Sequence, residues 1–290
     1  MFDVRTGHVT FYILKPLVFL LSLFSGFRVL HSSSPAGIID AFREGIDMRT
    51  VVILSIAATF LLGCMCMSDA DLRPIYRCPK IDKAPVIDGK LDDEAWKIAP
   101  PVQLVLSETG KPATKRTIAR MCWDDQNLYI SFDCDDEDLW NDYKQRDDPV
   151  YNEEVVEAFL SPDCSLKHYY EINVSPRNVV FDASIYDPIN GSPQPPTSTA
   201  WDCAGLRTAV IADGTLDCRT DKDKGYIAEM AIPFAGLGRD TPKSGERWRG
   251  NLFRIDLSPK PAEFQAWSPT LVKPAAFHIP DRFGTIFFVR

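Results

Sequence analysis

The chain has 290 residues, a formal charge of −8, 45% hydrophobic and 25% charged residues, and 22 prolines against 16 glycines. That length fits one large β domain or two smaller ones. The proline load suits short elements joined by turns better than a helical bundle. Residues 64–290 carry 27 basic and 36 acidic side chains with no basic cluster, which sets nucleic acid aside as a partner and favours neutral ligands or divalent cations.

Two apolar stretches open the chain, Leu17–Phe27 and Val51–Gly63, each too short for a comfortable membrane span and each the length of a signal-peptide core. The second is the better formed. Met48-Arg49-Thr50 gives a basic start, Val51–Phe60 the apolar core, and Leu61-Leu62-Gly63-Cys64 looks like a bacterial lipobox with Cys64 as the residue to be lipidated. The expected organisation is a signal or mis-assigned start over 1–63 with Met48 as the true start, a tether over 64–80, and one folded domain over 81–290. A lipid on Cys64 would then hold the protein to a membrane of the bacterial cell envelope, on its periplasmic or surface face. An uncleaved membrane anchor is the alternative. Seven further cysteines leave at least one unpaired, and Cys203 with Cys218 is the first pair to test for a disulfide. No Cys and His stand at zinc spacing, so a metal–thiolate site is not expected.

From Ile81 onward the pattern is strand-like. Thr117–Trp123 and Leu128–Asp133 are β-rich runs separated by Asp124-Asp125-Gln126-Asn127, a hairpin reading. Val155–Leu160, His168–Val174 and Val179–Ser184 follow, each ended by Pro, Asp or Asn. Pro188–Thr199 is a proline-rich loop inside the domain. Leu206–Ala212, Tyr226–Ile232, Trp248–Leu257 and Thr285–Val289 complete the strands, and Asp92–Ile98 and Phe234–Leu237 are the two short helical turns. The expected fold is all-β, an antiparallel sandwich or jelly roll.

Seven fragments occur in order: Pro85–Trp96 (PVIDGKLDDEAW), Trp123–Ile130, Tyr151–Phe159 (YNEEVVEAF), Tyr170–Asn173 (YEIN), Gly225–Phe234, Trp267-Ser-Pro and Pro280–Gly284 (PDRFG). Together they make residues 81–290 resemble the family 9 carbohydrate-binding modules. The resemblance implies a β-sandwich that binds oligo- or polysaccharide without catalysis, carries structural calcium and needs no organic cofactor. By motif, the two aromatic plates that sandwich a terminal sugar fall on Tyr151 and Trp267, and the sugar-contacting carboxylate falls on Glu157. The family's sugar-binding arginine falls at Glu171, a charge reversal, and Tyr151 is a smaller plate than the usual tryptophan.

The residue chemistry points the same way. A pyranose offers an apolar C–H face to an aromatic ring and hydroxyls to carboxylates or amides. Strand parity sets Glu157 with Val155 and Phe159 on a mixed face, and turns Glu171 and Asn173 outward while Tyr170, Ile172 and Val174 point inward. Arg254 is a candidate cation for the same ligand. Asp133–Asp138 (DCDDED) has the oxygen density that calcium wants, and Asp135, Asp136 and Asp138 are its expected ligands. Trp96, Trp123 and Trp248 read as core. A glycosidase would need two acids across a cleft, and Glu153, Glu154 and Glu157 lie on one segment. Two other readings stay open: a haem-binding sandwich using Met121, Met230, His168 or His278 as axial ligands, and a scaffold that has lost its sugar.

Overall fold

The computed structural model describes residues 73–290 apart from 190, 191 and 259. The expected lipidation at Cys64, the start at Met48 and both apolar stretches lie outside these residues.

The described chain folds into strands β1 Ile75–Pro79, β2 Val102–Gln103, β3 Val105–Leu106, β4 Thr117–Trp123, β5 Asn127–Asp135, β6 Val155–Ser161 and β7 His168–Val174. These are followed by β8 Val180–Ile189, β9 Ser192–Ser198, β10 Arg207–Asp213, β11 Gly225–Pro233, β12 Arg247–Asp256, β13 Glu263–Ala266 and β14 Gly284–Val289. One sheet runs β1-β14-β12-β6-β7-β8-β9, with β13 beside β12 and β3 beside β13. The second runs β10-β11-β5-β4-β2. All pairings between the strands are antiparallel except β1 with β14, which is parallel. The expected all-β sandwich is the observed architecture. Its two expected helical turns are a short helix, α1 (Glu94–Ile98), and a 3-10 turn at Ala235–Leu237.

Two local differences have physical reasons. Pro188–Thr199, expected as a loop, forms the end of β8 and all of β9. Proline is tolerated there because β9 is the sheet's edge strand, with one side free of ladder bonds. β1 lies inside the stretch expected to be tether. Its alternating exposure, with Tyr76 and Cys78 buried and Ile75 and Arg77 exposed, is that of a half-buried strand. The β4–β5 turn is as expected: Asp124 Oδ1 accepts from the N–H of Gln126 and of Asn127, both at 2.7 Å, which closes the hairpin.

The larger sheet is covered on both faces. Val156, Ala158 and Leu160 of β6 enter the core between the sheets, with Met121, Met230 and Trp248. Val155 and Phe159 enter a second apolar cluster on the opposite face, with Phe253, Phe277 and Phe283. Every residue of β6 is therefore buried, the mark of a strand packed on both sides. Trp96, Trp123 and Trp248 are core residues, each at most 2% exposed.

Candidate functional site

The site grows from the pairing of β6, β7 and β8. Glu157 faces Asn173 and Phe159 faces Glu171 across the β6–β7 ladder. β8 sets Phe181 against Asn173 and Ala183 against Glu171. Strand alternation sends Glu157, Glu171 and Asn173 to the outer face, away from the inter-sheet core. Tyr151, on the 3-10 turn Val150–Asn152 before β6, meets Phe181 edge-on with ring centroids 4.9 Å apart and keeps 40% of its area exposed. Four of the five residues expected to contact sugar are thus on one face: Tyr151, Glu157, Glu171 and Asn173.

Burial sets the electrostatics of this face. Glu157 and Glu171 are 2% and 4% exposed. Burial, and then the neighbouring Glu171, holds the Glu157 carboxyl well above the usual range. Burial pushes Glu171 up to about 7, against the pull of the Asn173 amide. Asn173 Nδ2 donates to Glu171 Oε1 at 2.8 Å, while Asn173 Oδ1 is buried without a partner. His278 Nε2 stands 3.8 Å from Glu171 Oε2, and Nδ1 is 2.6 Å from the Tyr169 hydroxyl. Burial lowers His278 to about 4, so at neutral pH the His278–Glu171 approach is not an ion pair.

Tyr169 and His278 were not expected at this face. Tyr169 shares parity with Glu171 and Asn173, so alternation along β7 carries the signal. His278 has none, because it lies in the irregular segment between β13 and β14.

Trp267 corrects the expected aromatic pair. Its backbone N–H donates to the Leu252 carbonyl at 2.8 Å, and its ring turns into the inter-sheet core, 6% exposed and edge-on to Tyr76 at 6.2 Å. A Cβ on Gly284 would come within 2.6 Å of the indole, so glycine is the residue that admits it. Ala266, just before it, belongs to the outer apolar cluster, so alternation puts Trp267 on the face opposite Tyr151. The two rings cannot sandwich one sugar. Arg254 is likewise inward: it is 0% exposed and donates to Thr117 Oγ1 and to the Asp135 carbonyl.

The expected calcium ligands also separate. β5 continues through Asp135, whose side chain turns outward and pairs with Arg116 at 2.7 Å. Asp138 pairs with Arg219 at 2.8 Å. Asp136 alone turns inward, and it meets Glu154 and Asp256 with ligand oxygens all within 4.8 Å of one another. Arg254 Nη2 reaches Asp136 at 2.8 Å and Asp256 at 2.9 Å. Ser258 Oγ donates to Glu154 Oε1 at 2.5 Å, whereas Glu154 Oε2 and the nearby Asn141 Oδ1 are buried without partners. One arginine against three buried carboxylates leaves negative charge over. Burial and Asp136 accordingly push Glu154 up to about 9, and burial lifts Asp256 to about 6 despite Arg254. This donor set of hard oxygens, two of them orphaned, fits calcium.

Met121 and Met230 are fully buried in the inter-sheet core, while His278 lies at the outer face, so the candidate haem ligands are not gathered. Cys203 and Cys218 are both free thiols, Cys203 buried and Cys218 half-buried.

Known proteins match this architecture. A fungal protein named "Extracellular protein", from Arthroderma benhamiae, is 33% identical over 191 residues, covering 62% of this chain and 81% of its own. Endo-1,4-beta-xylanase A of Thermoanaerobacterium saccharolyticum is 29% identical over 164 residues, or 56% of this chain but only 12% of the xylanase. A carbohydrate-binding module of family 9 from Caldicellulosiruptor kristjanssonii, solved with cellotriose, superposes with a TM-score of 0.52 at 17% identity, covering 74% of this chain and 94% of the module. Residues 87–290 match the family described as "Carbohydrate family 9 binding domain-like", and the chain belongs to that family.

Proposed function

We propose that the protein is a non-catalytic carbohydrate-binding lipoprotein whose sugar site is the outer face of β6–β8. A pyranose ring stacks on Tyr151, with Glu157, Glu171 and Asn173 taking its hydroxyls. The observation that carries this reading is the convergence of an exposed ring with three buried polar side chains on one face, in a chain of this family. The solved relatives in complex with cellotriose and with glucose support a saccharide ligand. Similarity to a segment of a xylanase supports a role beside glycoside hydrolases.

Calcium at Asp136, Glu154 and Asp256 would neutralise buried charge and fix the start of β6, and with it Tyr151. The lipobox-like Leu61–Cys64 supports export and anchoring through Cys64. Mass measurement of the native protein tests the anchor: a diacylated amino-terminal Cys64 is expected, and an unmodified chain starting at Met1 refutes it.

Calorimetry of the intact protein with glucose and cellotriose, repeated with Tyr151→Ala, tests the site. Binding that Tyr151→Ala weakens by about 1 kcal/mol, roughly fivefold, supports it. Undiminished binding moves the site elsewhere.

A further inference from the structure

The outer face carries an imbalance that the Trp267 and calcium corrections leave untouched. Among the described residues, its buried carboxyl and amide oxygens outnumber the donors that meet them. Asn173 uses its amide donor on Glu171 Oε1, and Asn173 Oδ1, in a residue 0% exposed, has no partner. Glu157 and Glu171 lie on adjacent strands, and among the described residues no lysine or arginine forms an ion pair with either. The groups packed around them are Tyr151, Tyr169, His278 and the rings of Phe159, Phe181 and Phe253. His278 is the basic side chain beside Glu171, and burial keeps it neutral; Arg249, on the same face of β12 as Phe253, donates instead to the Phe283 and Gly284 carbonyls. The neighbouring acidic cluster has Arg254, but that side chain is on the other side of the sheet.

Two adjacent carboxyl groups held out of water without a cation resist ionising, and a ligand that brings the cation lets them carry charge. We propose that this face selects a sugar bearing a protonated amine, a 2-amino-2-deoxyhexose unit, over neutral, N-acetylated or acidic sugars. An ammonium group is a donor three times over and accepts nothing, which matches Glu157, Glu171 Oε2 and Asn173 Oδ1. Tyr151 takes the apolar face of the same ring and contributes attraction between its π face and the charge. A uronate would bring a further negative charge to a pair that already resists ionising, and N-acetylation removes the positive one. Both are rejected by the same pair of carboxylates.

The inference rests on the carbohydrate reading above, and one experiment separates the two. Calorimetry on the intact protein at neutral pH compares a β-1,4-linked glucosamine disaccharide with cellobiose, N,N′-diacetylchitobiose and a glucuronate-containing disaccharide. Charge-assisted hydrogen bonds predict that the glucosamine disaccharide binds about tenfold tighter than cellobiose or more. Glu171→Gln, with Glu157→Gln as the second variant should the first not fold, weakens the glucosamine disaccharide far more than cellobiose and brings that ratio close to unity; an unchanged ratio overturns the proposal. Cellobiose binding as tightly as the amine sugar overturns the selectivity and leaves the carbohydrate reading standing. If none of the four binds, both fall.

Discussion

At Glu154, immediately before β6, a buried carboxylate meets Asp136 and Asp256 around an arginine. Three residues further on, at Glu157, another meets Glu171 with no arginine between them. Both clusters are almost completely withdrawn from solvent, and both raise their carboxyl pKa values. They differ in counter-charge and in what covers them. The first lies beside the inter-sheet core with Arg254 and with Glu154 Oε2 and Asn141 Oδ1 buried without partners. The second lies under a half-exposed tyrosine. Glu154, just before β6, and Glu157 within it thus meet different surroundings because alternation sends them to opposite faces of the sheet.

Breaking the first cluster is expected to have the largest effect. Arg254→Met leaves three buried carboxylates without a cation and should cost about 3–5 kcal/mol in denaturant unfolding. Added calcium should return part of that loss. A variant as stable as wild type in chelator would show that Arg254 does not balance the cluster.

Trp267→Ala comes next. Emptying an indole-sized space between the sheets should cost about 3–5 kcal/mol, while sugar affinity of the folded protein stays unchanged. Lost affinity with an unaltered thermal transition would restore Trp267 to the binding face.

Calcium removal should be smaller. An ion present at about 100 times its dissociation constant contributes about 2.7 kcal/mol, read as the drop in thermal transition on adding chelator. The pH dependence gives the sign. Folding raises Asp256 to about 6 and Glu154 to about 9, so the fold favours their protonated forms. Their stabilising contribution is complete below the ordinary carboxylate range and is lost as pH rises through about 6 and then about 9. Without calcium, stability should therefore fall with rising pH over that window, and calcium should flatten or reverse the slope. Equal slopes with and without calcium would place the ion elsewhere.

The smallest effect is at the second cluster. Tyr151→Ala should weaken sugar binding by about 1 kcal/mol with little change in unfolding, because the ring is already 40% exposed.

Much of the fold was legible in the sequence because strand parity and turn chemistry are local. β4 through β8 and β10 through β12 lie close to where the apolar alternation and the Asp-Asn turns put them. β2, β3 and β13 escaped notice because strands of two to four residues carry too little period to register. Parity also placed Glu157, Glu171 and Asn173 correctly. Trp267 was misplaced because β13, four residues long, carries too little alternation to reveal the face of the residue just past it, and the Gly284 that receives it is far along the chain. The acidic cluster was half legible: Asp136 stood in an obvious acidic run, but its partners Glu154 and Asp256 reach it only through the sheet pairing.

The parallel pair β1–β14 has a consequence for how the molecule is assembled. Ile75 faces Thr285, so the first described strand can be laid down only beside the last, closing a loop of about 210 residues. Contacts of that separation form slowly and late. Tyr76 and Cys78 can meet Met121 and Trp123 of β4 earlier, but their strand gains its ladder partner only when β14 has been made. Truncation by even the six residues of β14 would leave the opening strand with no partner along its length. Completion of the fold is therefore a check that the whole domain has been synthesised.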